Sequence, residues 1–395
     1  MPESEWRSTN GKTKIRLGVI GIGNMGSEHC RMILEGRCPE TELRAVADLR
    51  LERREWARKI LPESVRIFAD GRELASSGVC DAVLIAAPHY QHEPLTVAAL
   101  EQGLHVLCEK PAAVQADRAE RMIRTAEKAG KTLTFMFNQR TNCVYRAMNK
   151  LLSSGEMGAV KRMNWIITDW YRTQRYYDSG SWRATWRGEG GGVLLNQCPH
   201  QLDLLQWLCG LPIRVRAFCH EGKWHDIEVE DDVTAYLEYE NGATGVFVTT
   251  TGDAPGTNRL EITGTRGKIV CENDKLVFSR LSADEREWCR TCPEGFRKPE
   301  WETFEVPTDG KNSQHAGVLN AFAGRILRGE PLTADGREGI RGLTLSNAMH
   351  LSSWLSRPVD IPFDEQLFKS MLMKRCENSR HKEESDITFD TKGSY

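Results

Sequence analysis

No stretch of this 395-residue chain approaches the ~20 consecutive apolar residues of a membrane-spanning helix. The polar, charged residues 1–13 hold no apolar run of secretory-leader length. The expectation is a protein that stays where it is made, with no membrane partner. A dominant charge is missing too: 53 Lys and Arg face 55 Asp and Glu, for a formal charge of -2. That balance gives no broad positive field for nucleic acid, which is set aside as a partner. The 12 cysteines do not form a paired framework, being scattered singly except for Cys289 and Cys292. Buried thiols in a reducing compartment, the cytoplasm, are the reading. Cys289-Arg-Thr-Cys292 supplies only half of a structural zinc site, and no second pair or paired His follows, so no metal is expected. There is no internal repeat, low-complexity tract or flexible linker.

The chain is too long for one ordinary core, which makes two domains the natural division. From Ile15, short β-branched runs alternate with helical patterns, as βαβ units and a parallel sheet require. Ile15 to Ile20, Leu43 to Ala47, Ala82 to Ala86, His105 to Cys108 and Thr132 to Phe137 are the expected strands. Several are near-continuous apolar runs, as when helices cover both faces. One helix is expected to begin at Asp117, in a capping box with Glu120, and to end at Gly130.

After about Arg140 the pattern changes to antiparallel strands. Val160 to Thr168 alternates in sidedness, and Val233 to Tyr239 and Ala243 to Thr250 flank Asn241-Gly242, a type I′ hairpin signal. Leu260 to Thr263, Lys268 to Cys271 and Lys275 to Ser279 extend the meander, with helices expected on one face. Helical spacing recurs from Ala316 to Leu327 and from Gly342 to Leu355. The fold class is α/β: a dinucleotide-binding domain over 14–139, a substrate-binding α/β domain over 140–365, and a helix and polar tail over 366–395. The tail is expected to be poorly ordered from about Lys374.

Gly21-Ile-Gly23-Asn24-Met25-Gly26 follows the first strand and opens a helix. In that context Gly21 permits the tight turn and Gly23 lets a pyrophosphate approach the backbone. Gly26 lets the helix pack on the sheet with its amides toward the phosphates. Asp48 closes the second strand, where a carboxylate accepts from ribose hydroxyls and repels a 2′-phosphate, favouring NAD over NADP. Arg50, Arg53 and Arg54 could meet that phosphate, although their spacing also suits a solvated helix face.

Glu109-Lys110-Pro111 ends the fourth expected strand at the carboxyl edge of the sheet, where ligands of doubly wound folds sit. An ammonium there can stabilise charge on a reacting oxygen. With Pro88-His-Tyr-Gln-His92, Gly190-Gly-Gly-Val-Leu-Leu-Asn196-Gln-Cys-Pro-His200-Gln-Leu-Asp203 and Arg357-Pro-Val-Asp-Ile-Pro-Phe-Asp364, the chain resembles the Gfo/Idh/MocA family over about Ile15 to Asp364.

The resemblance implies a Rossmann domain plus an α/β domain whose large open, mainly antiparallel sheet supports homo-dimers or homo-tetramers. It implies a cofactor set of Gly21, Gly23, Asn24, Met25, Gly26, Asp48, Pro88, His92 and Glu109, and makes Lys110 and His200 the catalytic pair. Many relatives carry Asp four residues before the His, where this chain has Asn196. Spacing would put residues 196, 200 and 203 near one helix face, though Pro199 interrupts it. His200 as base with Asn196 orienting, or Lys110 as base, are both open.

The run from Trp165 to Arg187 carries Trp170, Tyr171, Arg172, Tyr176, Tyr177, Trp182, Arg183 and Trp186. Rings that pack on C–H faces and guanidinium groups that donate to hydroxyls suit a polyol, with about half of the rings expected in the core. Arg172, Tyr176, Arg183 and Asp203 are the expected substrate contacts. The activity expected is hydride transfer between NAD and a secondary hydroxyl of a sugar, glycoside or cyclitol. Inositol oxidation, internal recycling of a tightly held cofactor, or a non-catalytic sugar sensor are the alternatives.

Overall fold

The computed structural model describes residues 13–380 and 382. The chain divides into two units, residues 13–141 with Ser313–Leu343, and Asn142–Asn312 with the described residues from Thr344 onward.

The first unit is built on six parallel strands, β1 (Ile15–Ile20), β2 (Thr41–Ala47), β3 (Arg66–Phe68), β4 (Ala82–Ile85), β5 (His105–Cys108) and β6 (Leu133–Phe135). Their order, β3-β2-β1-β4-β5-β6, reverses direction between β1 and β4, which puts a crevice at the carboxyl ends of those two strands. Leu17 and Val19 are fully buried, and the helix Asn24–Leu34 contributes Cys30, Met32 and Ile33 to the same core.

That core also takes Val318, Leu319 and Phe322 from the helix Gln314–Arg328. The helical spacing was legible, but the segment lies in the first unit and not in the 140–365 domain expected for it. Burial of its apolar stripe against β1 is the cause. A second correction concerns the helix Ala116–Ala129. Its N-cap is Gln115 without a side-chain cap, and Asp117 is a first-turn acid instead. Gly130 ends it in the left-handed conformation, φ 62°, as expected.

The second unit carries a nine-stranded sheet in the order β14-β13-β12-β11-β7-β10-β9-β8-β15. Its strands are β7 (Val160–Ile167), β8 (Arg214–Glu221), β9 (Glu230–Glu238), β10 (Thr244–Thr250), β11 (Asn258–Gly264), β12 (Gly267–Glu272), β13 (Lys275–Leu281), β14 (Trp301–Glu305) and β15 (Val359–Asp360). Every pairing is antiparallel except β7 with β10. Trp165 and Phe247 are fully buried on one face, where Tyr145 of the helix Cys143–Ser153 lies 6.3 Å from the Trp165 ring. On the other face Ile166, Phe218 and Tyr236 are exposed.

The β9–β10 hairpin forms at Asn241-Gly242, but not as a type I′ turn. Gly242 N–H donates to Tyr239 O at 3.0 Å and Gly242 takes φ 80°, with Asn241 outside the positive-φ residues. This is a turn with a left-handed glycine after it, the three-residue alternative. The expected disorder from Lys374 is also corrected. The helix Glu365–Glu377 runs through it because Phe368, Leu372 and Cys376 are buried, Phe368 stacking 5.4 Å from Trp354. The rest of that tail, Lys382 apart, lies outside the described residues beyond Arg380.

Candidate active site

The turn after β1 leaves no room for side chains at two of its glycines. Gly21 has φ 86°, and a Cβ there would stand 2.6 Å from the Ala86 carbonyl oxygen, while one on Gly26 would overlap the Gly21 carbonyl. A Cβ on Gly23 would meet only the Arg50 guanidinium, at 3.7 Å. Gly21 and Gly26 therefore serve the chain's own packing, and Gly23 keeps an open approach to the helix start. Gly23 is the N-cap of the helix, with no side-chain cap bond and no acid in the first turn. Asn24 is exposed and Met25 half-buried on that first turn. The amides and the positive dipole end are thus presented to an anion. Gly26→Ala is expected to abolish NAD binding, because the methyl cannot fit without moving the Gly21 peptide. Titration of NAD against intrinsic tryptophan fluorescence is the check, and wild-type affinity would refute it.

Asp48 is built into this turn. Its Oδ2 accepts from Ile22 N–H and its Oδ1 from Arg50 N–H, each at 2.9 Å. Those bonds fix the carboxylate, whose remaining lone pairs suit ribose hydroxyls. Two of the three neighbouring arginines are committed elsewhere, contrary to the solvated-face reading. Arg53 Nε donates to Ile22 O at 2.7 Å and its guanidinium lies over the Trp56 ring, while Arg54 donates to the Asp48 and Leu49 carbonyls. Only Arg50 reaches over Gly23, and it leans toward Asp48 at 3.5 Å.

At the end of β5, Glu109 is buried and does not present a free carboxylate. His29 Nε2 lies 2.7 Å from its Oε1, and Lys110 N–H donates to its Oε2 at 3.1 Å. Burial alone would raise the Glu109 pKa, but the bond to and charge of His29, with His315 and Lys110, overcome this and hold it at about 2. The His315 ring sits edge-on to His29 at 5.5 Å, and burial pushes its pKa down to about 4. Glu109, expected at the cofactor, is thus a brace that fixes the Lys110 backbone. His92, also expected there, is 1% exposed, with Nδ1 2.7 Å from Pro111 O and Nε2 2.7 Å from Ala87 O. The ring bridges the loops after β4 and β5, one nitrogen donating to a carbonyl in the neutral form that burial favours. Pro88 is the N-cap of the helix His89–Glu101 between them.

In the second unit, the helix Pro199–Cys209 begins at Pro199, whose missing N–H costs nothing in the first turn. His200 therefore lies in that first turn, 9% exposed. Asn196 precedes the helix, its N–H donating to Gly192 O at 2.9 Å, so the expected one-turn spacing on a common helix face is not what relates them. Asp203, an expected substrate contact, is 1% exposed and its Oδ1 accepts from Gln206 at 3.1 Å.

The Gly190-Gly-Gly turn rests on Glu230. Its carboxylate accepts from Gly192 N–H and Leu194 N–H at 2.9 Å each, with His350 Nε2 also at 2.9 Å. Burial opposes the charge on Glu230, but His350 and the two amides outweigh it and lower the pKa. A Cβ on Gly192 would overlap the Glu230 carbonyl oxygen, so this glycine is required by packing.

Tyr176 is the hub of the expected substrate residues. Its hydroxyl oxygen accepts from Arg183 Nη1 at 2.8 Å, Gln197 Nε2 at 3.1 Å and Asn196 Nδ2 at 3.4 Å. The Arg183 and Arg172 guanidinium groups stand 4.6 and 5.2 Å from its ring centroid. Tyr177 and Trp186 are core, while Trp170, Tyr176 and Trp182 are half-buried and Tyr171 exposed. Sequence reasoning missed Glu189, whose carboxylate faces Asn196 Nδ2 and accepts Ala184 N–H at 2.6 Å. Its place directly before the glycine turn was the available signal. It also missed the pair His29 and His315 in the first unit and the pair Glu230 and His350 in the second, each distant in sequence and joined by the fold. Among the described residues no group of His, Cys, Asp and Glu could hold a metal ion.

Residues 15–137 match the oxidoreductase family with an NAD-binding Rossmann fold, and residues 145–270 match the Gfo/Idh/MocA C-terminal domain. The chain belongs to the Gfo/Idh/MocA family of NAD-binding oxidoreductases. It is 25% identical to myo-inositol 2-dehydrogenase of Thermotoga maritima over 88% of this chain and 98% of that relative. The WlbA dehydrogenase of Chromobacterium violaceum, solved with NADH and UDP-GlcNAcA, superposes with a TM-score of 0.77 at 26% identity, covering 91% of this chain and 99% of that one. Levoglucosan dehydrogenase with NADH and levoglucosan gives 0.74 at 20% identity, covering 88% and 100%, a likeness of fold alone. The Gfo/Idh/MocA assignment agrees with the turn: Gly23 open, helix amides presented, Asp48 fixed.

Proposed function

We propose that this oxidoreductase catalyses reversible, NAD-linked oxidation of a secondary hydroxyl on a sugar, glycoside or cyclitol. The observation that carries the reading is the Tyr176 cluster, in which Arg172, Arg183, Gln197 and Asn196 surround one aromatic ring with donors. Aromatic faces suit sugar C–H groups, and fixed donors suit a hydroxylated ring. When bound, NAD supplies the hydride acceptor for the carbinol carbon. Lys110 stabilises negative charge on the reacting oxygen, His200 takes the hydroxyl proton, and Asn196 orients the hydroxyl. Gly21, Gly23, Asn24, Met25, Gly26 and Asp48 hold the dinucleotide, with Pro88, Glu109 and His92 shaping the loops around it.

Two substrate types follow from different supports. The myo-inositol 2-dehydrogenase relative favours a cyclitol such as myo- or scyllo-inositol. The Asn-Gln-Cys-Pro-His sequence resembles family members that act on glycosides, for example at the 3-hydroxyl of a glucoside. The exposed Ile166, Phe218 and Tyr236 on the open sheet support a homo-dimer or homo-tetramer, and the buried thiols support a reducing compartment, the cytoplasm.

The test is nicotinamide absorbance on mixing the protein and NAD, then NADP, with inositols, free sugars, anhydrosugars and O- and C-glycosides. Reduction of NAD by one class is the expected result. Silence across the panel, with NAD binding confirmed, would overturn the reading in favour of a sensor or an internally recycled cofactor.

A further inference from the structure

We propose that Glu189 is the positioning residue that sets, through Asn196, whether the substrate unit accepts or donates a hydrogen bond at the reacting hydroxyl. This rests on the dehydrogenase reading above. Glu189 is 1% exposed, at the entrance to the glycine turn, and one oxygen is fixed by the Ala184 N–H. The other faces the Asn196 side-chain amide. Asn196 is the residue that the glycine turn and the start of the Pro199–Cys209 helix bring beside Tyr176 and Gln197.

A primary amide has an acceptor on one side and donors on the other, and a carboxylate only accepts. With Glu189 ionised, Asn196 must turn its NH2 toward it, as observed, leaving Oδ1 on the opposite side as an acceptor. With Glu189 protonated, its O–H donates to Asn196 Oδ1 and the amide turns over, presenting NH2 instead. The first state suits an alcohol giving up its proton, and the second suits a ketone being reduced. Tyr176 registers the change, because Asn196 Nδ2 is one of the donors to its hydroxyl oxygen.

The surroundings make this choice available near neutral pH. Burial is the largest influence on Glu189 and raises its pKa, with Glu230 adding to it. Arg183, the Ala184 amide and Asn196 pull the other way, and the balance stands at about 7. Among the described residues Tyr177 and Lys382 are further titratable groups that interact with it, Lys382 donating to the Tyr177 and Arg183 carbonyls.

Two measurements test the assignment, and the first needs no substrate. A carboxyl that titrates at about 7 when folded, against an ordinary 4.5, binds more protons in the native state between those values. Stability from Glu189 is therefore fully present below the lower value, falls as pH rises, and is lost above the upper one. The Tm of the wild type minus that of Glu189→Gln is expected to fall between about pH 5 and 7 and then level off. Parallel curves would overturn the proposal whatever the substrate proves to be.

The second measurement is the pH dependence of kcat/KM for alcohol oxidation by the NAD-bound enzyme. Both enzymes keep the limb that His200 contributes, so the reading is their ratio: wild type over Glu189→Gln is expected to rise through about pH 7, a Glu189 limb that reaches about tenfold at pH 8, with ketone reduction at pH 6 little changed. Glu189→Gln/Asn196→Asp, which restores one carboxylate to the pair, is expected to bring that ratio back toward one. A ratio equal at every pH would refute the role. If Glu189→Gln does not fold, Glu189→Asp decides: it keeps a titrating carboxyl, so the limb remains with a moved midpoint, and an unmoved midpoint counts against Glu189.

Discussion

Replacing Lys110 by alanine is expected to lower kcat about a thousandfold while leaving NAD affinity within about threefold of wild type. The reasoning starts from how the residue is held. Its backbone N–H is bonded to Glu109 Oε2, and Glu109 is bonded in turn to His29, so the stem leaves β5 from a fixed point at the carboxyl edge of the sheet. The Glu109 carboxylate stays ionised throughout the working pH range because its pKa lies at about 2. In the proposed reaction the ammonium acts from this fixed backbone on the reacting oxygen, and such pre-organised charge is the largest single contribution most sites make. Lys110→Arg is expected to recover little, since a planar fork does not replace a compact point charge. Steady-state kinetics with tryptophan quenching by NAD separates the two effects. A parallel loss of NAD affinity and kcat would make Lys110 a cofactor residue instead.

His200→Ala is expected to lower alcohol oxidation at pH 7 by about a hundred- to a thousandfold, with the deficit shrinking at alkaline pH as hydroxide takes over the proton. His200 sits in the first turn of the Pro199–Cys209 helix, and Pro199 fixes where that helix begins. Deleting the ring removes the proposed proton acceptor and leaves the bonds from Glu230 to the glycine turn in place. Near-wild-type turnover would overturn the assignment and leave Lys110 as the base. A pH–rate profile of each variant distinguishes these outcomes, because the limb that disappears identifies the missing group.

What could be read from the sequence was local. The strand–glycine–helix turn, Asp48, and the alternation of Val160 to Thr168 carry their physics within a few residues, and the fold follows them. Asn241-Gly242 marked the hairpin because only a glycine adopts φ 80° cheaply, yet the turn type depended on Asn241 staying outside that region. Glu109 and His92 were expected at the cofactor from the family resemblance, which points to positions and not to their partners in this chain. Their actual partners, His29 for one and the Pro111 and Ala87 carbonyls for the other, lie up to 80 residues away or on another strand end. The helix Gln314–Arg328 shows the same limit: its amphipathic stripe was plain, but not which core would receive it. The strands Arg214–Glu221 and Trp301–Glu305 were missed because charged residues break up their apolar pattern, Arg214, Arg216 and Glu221 in the first and Glu302 and Glu305 in the second, which is exposed along its length.

The parallel seam at β7 bears on how the second unit folds. β8, β9 and β10 follow one another as neighbours, as do β11 through β14, so each run can zip from its own turns. β7 precedes both in the chain, yet lies between β10 and β11. Its register with β10 sets Arg162 against Thr244, and with β11 it sets Ile167 against Asn258. Neither border of β7 can close until about eighty residues of later chain are in place, and such loop closure precedes any reward from pairing. This topology predicts two local ribbons that form before one long-range insertion joins them. Until β7 docks, β10 and β11 each carry an open edge, which makes this step the one where chains of this family member are most exposed to pairing with each other.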